Sequence, residues 1–241
     1  MPEHRIGTTS TKMTEEISAN LAAVRQRIAT AEQAAGRRAG SVKLVAVSKT
    51  FPPEYVQAAH DSGQRVFGEN RVQELSGKTP VLPKDIEWHL IGHLQANKVR
   101  GAVEHASWIH SIDTLELLRR TARIAEETGK SPQLLLEVNV SGEASKFGMT
   151  PEEARQAVAA FPCPLLRGLM TVAPADASSE ELHRIFAALR TLRDDLAQAS
   201  GLPLTELSMG MSGDFEMAIA EGATMVRVGS AIFGHRSYEL A

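Results

Sequence analysis

Val42-Lys43-Leu44-Val45-Ala46-Val47 is a short apolar run, followed at once by Ser48-Lys49-Thr50 and then by a proline-led helical pattern over Pro53–Ser62. The same alternation continues down the chain. Further strand-like runs fall at Arg65–Phe67, Ile86–Ile91, Trp108–Ser111, Gln133–Val140, Leu165–Val172, Glu206–Met209 and Met225–Val228. Helical patterns over Thr114–Thr128, Pro151–Ala160 and Ser178–Ala199 separate several of them, with proline at helix starts and glycine at several ends. Several runs are apolar on consecutive residues, the pattern of parallel strands covered on both faces. Eight is the number of strands that closes such a barrel.

Ahead of the first run, Ile17, Leu21, Val24, Ile28 and Ala31 recur at steps of four and three, the period of a one-faced helix that ends near Gly36. Gly7-Thr8-Thr9-Ser10-Thr11-Lys12 is small and polar with nothing to bury, so residues 1–12 are expected to form a flexible tail. With the leading helix set aside, the 241-residue chain leaves about 25 residues for each βα unit, which is compact but sufficient. A doubly wound open sheet is the competing topology, but no Gly-x-Gly-x-x-Gly turn follows the first run and no break in composition marks a second half. The expected architecture is α/β, a (β/α)8 TIM barrel with an extra N-terminal helix, forming a single domain over residues 13–241.

Hydrophobic residues make up 43% of the chain and charged residues 23%, enough apolar content to fill a real core. A net charge of −3 supplies no basic field for polyphosphate, and 5% aromatic residues supply few stacking platforms, so nucleic acid is excluded as a partner. The single cysteine, Cys163, makes neither an intrachain disulfide nor a Cys-x-x-Cys pair, which fits a reducing, cytoplasmic setting. The polar N-terminus has no signal-peptide core, and no apolar run approaches the ~20 residues needed to cross a bilayer. The chain is expected to be neither secreted nor membrane-bound, which makes Asn139-Val140-Ser141 a chance match to a glycosylation site.

In a βα barrel the site lies at the C-terminal ends of the strands, and phosphate commonly rests on the loops after strands seven and eight. Those loops read Ser208-Met209-Gly210-Met211-Ser212-Gly213-Asp214 and Gly229-Ser230-Ala231-Ile232-Phe233-Gly234. Both are small and hydroxyl-bearing, and each opens into a helical segment whose dipole favours an anion. Ordinary turn and capping chemistry is the plainer alternative for either loop alone; two of them at paired positions favour phosphate. Lys49 shares a strand face with Val45 and Val47, so an inward face would place its amine at the barrel mouth. A lysine there is either solvated or a nucleophile that forms a Schiff base with a carbonyl compound. Opposite a phosphate cradle, the second reading suits a phosphorylated aldehyde or ketone, such as pyridoxal phosphate or a sugar phosphate.

Arg227 lies inside an apolar run and therefore needs a partner, for which neighbouring Glu216 or Glu221 is available. Facing a pyridine nitrogen, an arginine would keep that nitrogen unprotonated and weaken the ring as an electron sink. Asn70 is either a donor to a ring oxygen or an N-cap for the helix that follows. His89 and His93 have helical spacing in a run that reads as strand and loop, with no carboxylate cluster beside them, so ordinary hydrogen-bonded histidines are favoured over a metal pair and no metal site is expected. Gly210-Met211-Ser212-Gly213-Asp214 is not a serine-hydrolase elbow, because Asp214 replaces the last glycine.

Taken together, Ala46-Val47-Ser48-Lys49-Thr50, Phe67-Gly68-Glu69-Asn70-Arg71, the stretch Trp88–Lys98, Gly168-Leu169-Met170-Thr171, Leu207–Ser212 and Val226–Gly234 resemble the pyridoxal phosphate homeostasis protein family, in register from about Val42 to Arg236. The resemblance implies a single barrel like the N-terminal domain of alanine racemase. It implies pyridoxal 5'-phosphate bound covalently on Lys49, Arg227 facing the pyridine nitrogen, the phosphate on Ser212, Gly229 and Ser230, Asn70 beside the ring, and Met209 and Met170 lining the pocket. Lys146 matches a second lysine for cofactor transfer, a solvated loop lysine being the plainer alternative. Phe51 departs from the family, where lysine is frequent.

The expected function is a non-catalytic carrier of pyridoxal phosphate acting in its homeostasis as a cytoplasmic monomer, with apo-enzymes as possible recipients. Fourteen residues follow Arg227, too few for the C-terminal domain that brings a racemase its second base. A fold-type III amino-acid racemase or decarboxylase is the alternative, and a class I aldolase using Lys49 a third.

Overall fold

The computed structural model describes residues 6–143 and 147–234, with side chains from residue 11 onward. Eight parallel strands close into one barrel in sequence order. They are β1 (Lys43–Val47), β2 (Val66–Glu69), β3 (Glu87–Leu90), β4 (Trp108–Ile112), β5 (Gln133–Glu137), β6 (Leu166–Met170), β7 (Glu206–Ser208) and β8 (Met225–Val228). The helices are α1 (Ile6–Ala34), α2 (Pro53–Asp61), α3 (Val72–Lys78), α4 (Val99–His105), α5 (Leu115–Thr128), α6 (Pro151–Ala160), α7 (Ser179–Ser200), α8 (Phe215–Ala220) and α9 (Ser230–Phe233). All eight expected strands are present.

Alternation along the strands makes two layers. Phe67, Leu90, Ile109, Leu134, Leu136, Leu169, Leu207 and Val226 belong to the continuous core between barrel and helices. Val45, Val47, Leu135, Met170 and Met225 are equally buried but stand apart from that layer, inside the barrel. Gly168 is required by a close approach, since a Cβ there would run into the Glu206 carbonyl oxygen. The outer helices are bounded by local chemistry. Thr150 with Glu153 and Ser178 with Glu181 form capping boxes on α6 and α7, and Gly129 and Gly201 end α5 and α7 in the left-handed conformation.

α1 packs on α2, α8 and α9, over the seam where β8 meets β1. Ile17, Leu21, Val24 and Ile28 are its buried stripe. At its end the buried Glu32 carboxylate accepts from the Val42 amide at 2.7 Å and the Gly40 amide at 2.9 Å, fixing the entry into β1. The helix begins at Ile6, inside the stretch expected to be loose, while residues 1–5 lie outside the described residues. Once the apolar stripe is packed, each residue added to the end gains a backbone hydrogen bond at little further cost.

Two expected strands end early. β5 stops at Glu137 and β6 at Met170, although apolar residues continue. Val138 is buried as a strand residue would be, but it pairs in an isolated parallel bridge with Met149, with the Asn139 amide on the Met149 carbonyl and the Met149 amide on the Glu137 carbonyl.

Candidate functional site at the barrel mouth

Lys49 lies exposed just past the end of β1. Ser48 is fully buried, and its hydroxyl donates to Glu69 Oε1 at 2.7 Å, so the alternation of side chains turns Lys49 the other way, to the side of Val47. Lys78 of α3 donates both to the Ser48 carbonyl at 2.9 Å and to Glu69 Oε1 at 2.6 Å. Thr50 has the left-handed φ of 68°, and its amide donates to Glu74 Oε2 at 2.8 Å. Burial, then a hydrogen bond with Glu74, raises the Glu69 carboxyl to about 7. Although burial opposes it, the hydrogen bonds from Glu69 and the Thr50 amide hold Glu74 low. Oε2 of Glu69 is buried with no hydrogen-bond partner, an environment that favours the protonated carboxyl.

Arg227 of β8 is 4% exposed. Its Nη1 donates to Ser208 Oγ at 2.6 Å and its Nη2 to the Thr171 carbonyl at 2.8 Å. Neither Glu216 nor Glu221 is its partner: Glu216 pairs with Arg27, and Glu221 with His183 and Arg190. Both acids sit on the outward side of the barrel wall, and Arg227 points inward. Burial lowers the guanidinium to about 10, opposed by Asp214 and Glu137, so it remains a cation at neutral pH. Glu137, at the end of β5, is raised to about 7 by burial and by Asp113, with Arg227 pulling the other way.

The loop after β7 is shaped by Gly210, whose φ is +95° and whose carbonyl accepts from the Arg227 amide at 2.9 Å. A Cβ at Gly210 would lie 2.7 Å from that of Ala218. Asp214 closes the loop by accepting from the Met211 amide, leaving Ser212 half-buried at its crest. After β8, Gly229 packs so closely on β1 that a Cβ would lie 3.1 Å from the Val47 carbonyl oxygen, and Ser230 follows, exposed. The helices these loops open are short, six residues in α8 and four in α9, so the donors they offer are local amides and hydroxyls rather than a large dipole.

Lys49, Ser212, Gly229, Ser230 and Arg227 thus lie on three adjoining strand ends, β7, β8 and β1. Asn70 follows β2, half-buried, and lines a cavity of about 620 Å³ with Arg71, Glu74, His93 and Lys98. It is not a helix cap: Arg71 holds that position on α3, without a side-chain cap. Met209 is not brought to the mouth. It is fully buried in the layer between barrel and helices, because Ser208 beside it takes the inward-facing position. Met170 is on the inner side. His89 bonds Glu87 and His110 inside the barrel, whereas His93 pairs with Asp113 at 3.1 Å and stacks on Phe147. Lys146 lies outside the described residues. Ser208, His110, Thr171 and Glu137 were missed by sequence reasoning; polar residues on alternate positions of otherwise apolar strands were the signal available.

A closed parallel barrel with this mouth defines the alanine racemase N-terminal domain class, and the model of the family described as "Alanine racemase, N-terminal domain" matches residues 19–237. Alanine racemase from Bartonella henselae shares the fold at TM-score 0.68 and 17% identity, over 92% of this chain and 61% of that one. Within that class the chain belongs to the pyridoxal phosphate homeostasis protein family. The protein of that name from Pseudomonas aeruginosa is 47% identical, over 92% of this chain and 96% of its own length. PipY of Synechococcus elongatus is 43% identical and has been solved without PLP, at TM-score 0.82, and with PLP bound, at TM-score 0.80; each match covers 90% of this chain and 100% of that one.

Proposed function

We propose that this protein binds pyridoxal 5'-phosphate at the barrel mouth, covalently on Lys49, and acts as an intracellular carrier of the cofactor rather than as a catalyst. The donor set fits the group. An exposed amine just past β1 suits the aldehyde, hydroxyls and amides around Ser212, Gly229 and Ser230 suit the phosphate, and the buried cation suits the ring nitrogen. Lys49 would supply the amine that anchors the aldehyde carbon of the cofactor. Asn70 is assigned to the ring edge on the β2 side.

Arg227, a buried cation beside the two Ser/Gly loops, is the observation that carries the cofactor-binding reading, and the carrier role rests on the names of the relatives. When bound, the cofactor supplies an electron sink, and a fixed guanidinium at its ring nitrogen keeps that sink weak. The bound PLP in PipY supports cofactor binding, and the names of the relatives support a homeostasis role. Recipients would be apo-enzymes that need the cofactor, and the protein is read as a cytoplasmic monomer.

Titration with pyridoxal phosphate tests this by visible absorption: the wild type develops a bound-cofactor band and Lys49→Ala does not. Loaded protein in deuterated solvent then exchanges the α-protons of an amino-acid panel no faster than free cofactor. Exchange well above that background would favour the racemase or decarboxylase reading instead.

A further inference from the structure

The polar groups inside the barrel form one continuous chain below Arg227. Lys43 Nζ donates to Glu87 Oε1 at 2.7 Å, and His89 Nε2 lies 2.8 Å from the same oxygen. His89 Nδ1 is 2.9 Å from His110 Nε2, and His110 Nδ1 is 2.9 Å from Ser208 Oγ, the oxygen that accepts from Arg227. His89, His110 and Ser208 are 0% exposed. Five strands contribute, each through an inward-facing position.

The chain has one consistent polarity. Burial lowers both imidazoles, so each is neutral and carries one N–H. Glu87 is held down at about 2, first by the His89 hydrogen bond, and as an anion it can only accept. His89 therefore carries its proton on Nε2, and its bare Nδ1 accepts from His110 Nε2–H. The bare Nδ1 of His110 then accepts the Ser208 hydroxyl proton. With that proton committed, Ser208 presents lone pairs to Arg227. The other contact of the guanidinium, the Thr171 carbonyl, is backbone and already fixed, so Ser208 decides how the fork is held. Glu137 of β5 and Asp214 of the β7–α8 loop act on Arg227 by charge, and Lys43 lies at the far end of the chain.

We infer that His89 and His110 are positioning residues that act through Ser208 to hold Arg227 in a single orientation beneath the mouth. Its consequence for the cofactor rests on the reading of Arg227 as the partner of the ring nitrogen. A guanidinium held in place keeps that nitrogen unprotonated; a wandering one lets it titrate.

Three variants test the inference. Ser208→Ala removes the accepting oxygen, His110→Phe keeps a ring and removes both nitrogens, and His110→Asn retains an oxygen able to accept from Ser208. In the cofactor-free protein, 15N NMR of the wild type should show both imidazoles with the proton on Nε2. Rotation of the Arg227 guanidinium should speed up about tenfold in Ser208→Ala and His110→Phe, the size expected for one lost charge-assisted hydrogen bond. His110→Asn should restore most of the slow rotation, which a merely space-filling role would not require. In protein loaded with 15N-labelled pyridoxal phosphate, the ring nitrogen should titrate about one pH unit higher in the first two variants, a tenfold gain in proton affinity. Nδ1-protonated or doubly protonated histidines near pH 7, or unchanged guanidinium rotation in Ser208→Ala, would overturn the inference. Faster rotation with an unmoved ring nitrogen would uphold the positioning role and instead sink the assignment of Arg227 to the ring.

Discussion

Val45 stands opposite Arg227 in the register that joins the first strand to the last. The seam where the barrel closes therefore joins the strand that leads to the candidate amine with the strand that carries the buried cation. Two residues further on, just past the end of β8, Gly229 packs closely on Val47, and two residues past the end of β1 comes Lys49. A closed sheet is the physical reason that residues 178 positions apart share one site.

Gly229→Ala should weaken cofactor binding with little loss of stability. The added methyl lies 3.1 Å from the Val47 carbonyl oxygen, so the loop must shift by a few tenths of an ångström, away from the phosphate it is proposed to hold. An affinity loss of about tenfold is expected in a fluorescence titration, comparable with removing one hydrogen bond to a charged group by Ser212→Ala or Ser230→Ala.

Gly210→Ala should act on the fold itself. Its φ of +95° is unfavourable for any side chain, and its methyl would meet the Ala218 Cβ at 2.7 Å. Urea unfolding should show a loss of about 1–3 kcal/mol, and the loop that carries Ser212 should lose protection from hydrogen exchange.

Acid should destabilise the barrel through its histidines. His89 and His110 have folded values below 6.5, so the unfolded chain binds more protons as pH falls through 6.5, and stability drops. His110→Phe should flatten that limb of a plot of unfolding free energy against pH. Glu137 works in the opposite sense: its value rises from 4.5 to about 7 on folding, so its ionisation costs stability as pH climbs through that window. Glu137→Gln should recover up to about 3 kcal/mol at pH 8 relative to pH 5, measured against the wild type.

Leu21→Ala should show whether α1 belongs to the barrel or merely decorates it. Leu21 is 1% exposed in the continuous core, and truncating it should cost about 2–5 kcal/mol in a single cooperative transition.

The strands, the long helices, Lys49, Arg227 and the two Ser/Gly loops were legible because each is written in local pattern: an apolar period, a cap, a charge inside an apolar run. α4 spans seven residues and was not recognised as a helix, and α3, also seven, was expected only as an unbounded helix after Asn70, since two turns give too little periodicity to separate from a loop. The partners of Arg227 were not legible either. Glu216 and Glu221 are near it in sequence but on the outer wall, whereas Ser208 and Thr171 reach it only because β6, β7 and β8 are neighbours. Met209 was placed at the mouth for want of one fact, which of two adjacent residues on β7 faces inward. The contacts of Ser208 settle that parity, and they depend on strands far away in sequence.

Covalent capture tests the central claim most directly. Protein incubated with pyridoxal 5'-phosphate, reduced with borohydride and digested should yield one dominant pyridoxyl-labelled peptide, the one carrying Lys49, with no label in Lys49→Ala. Label spread over surface lysines, or concentrated on a lysine other than Lys49, would contradict the account.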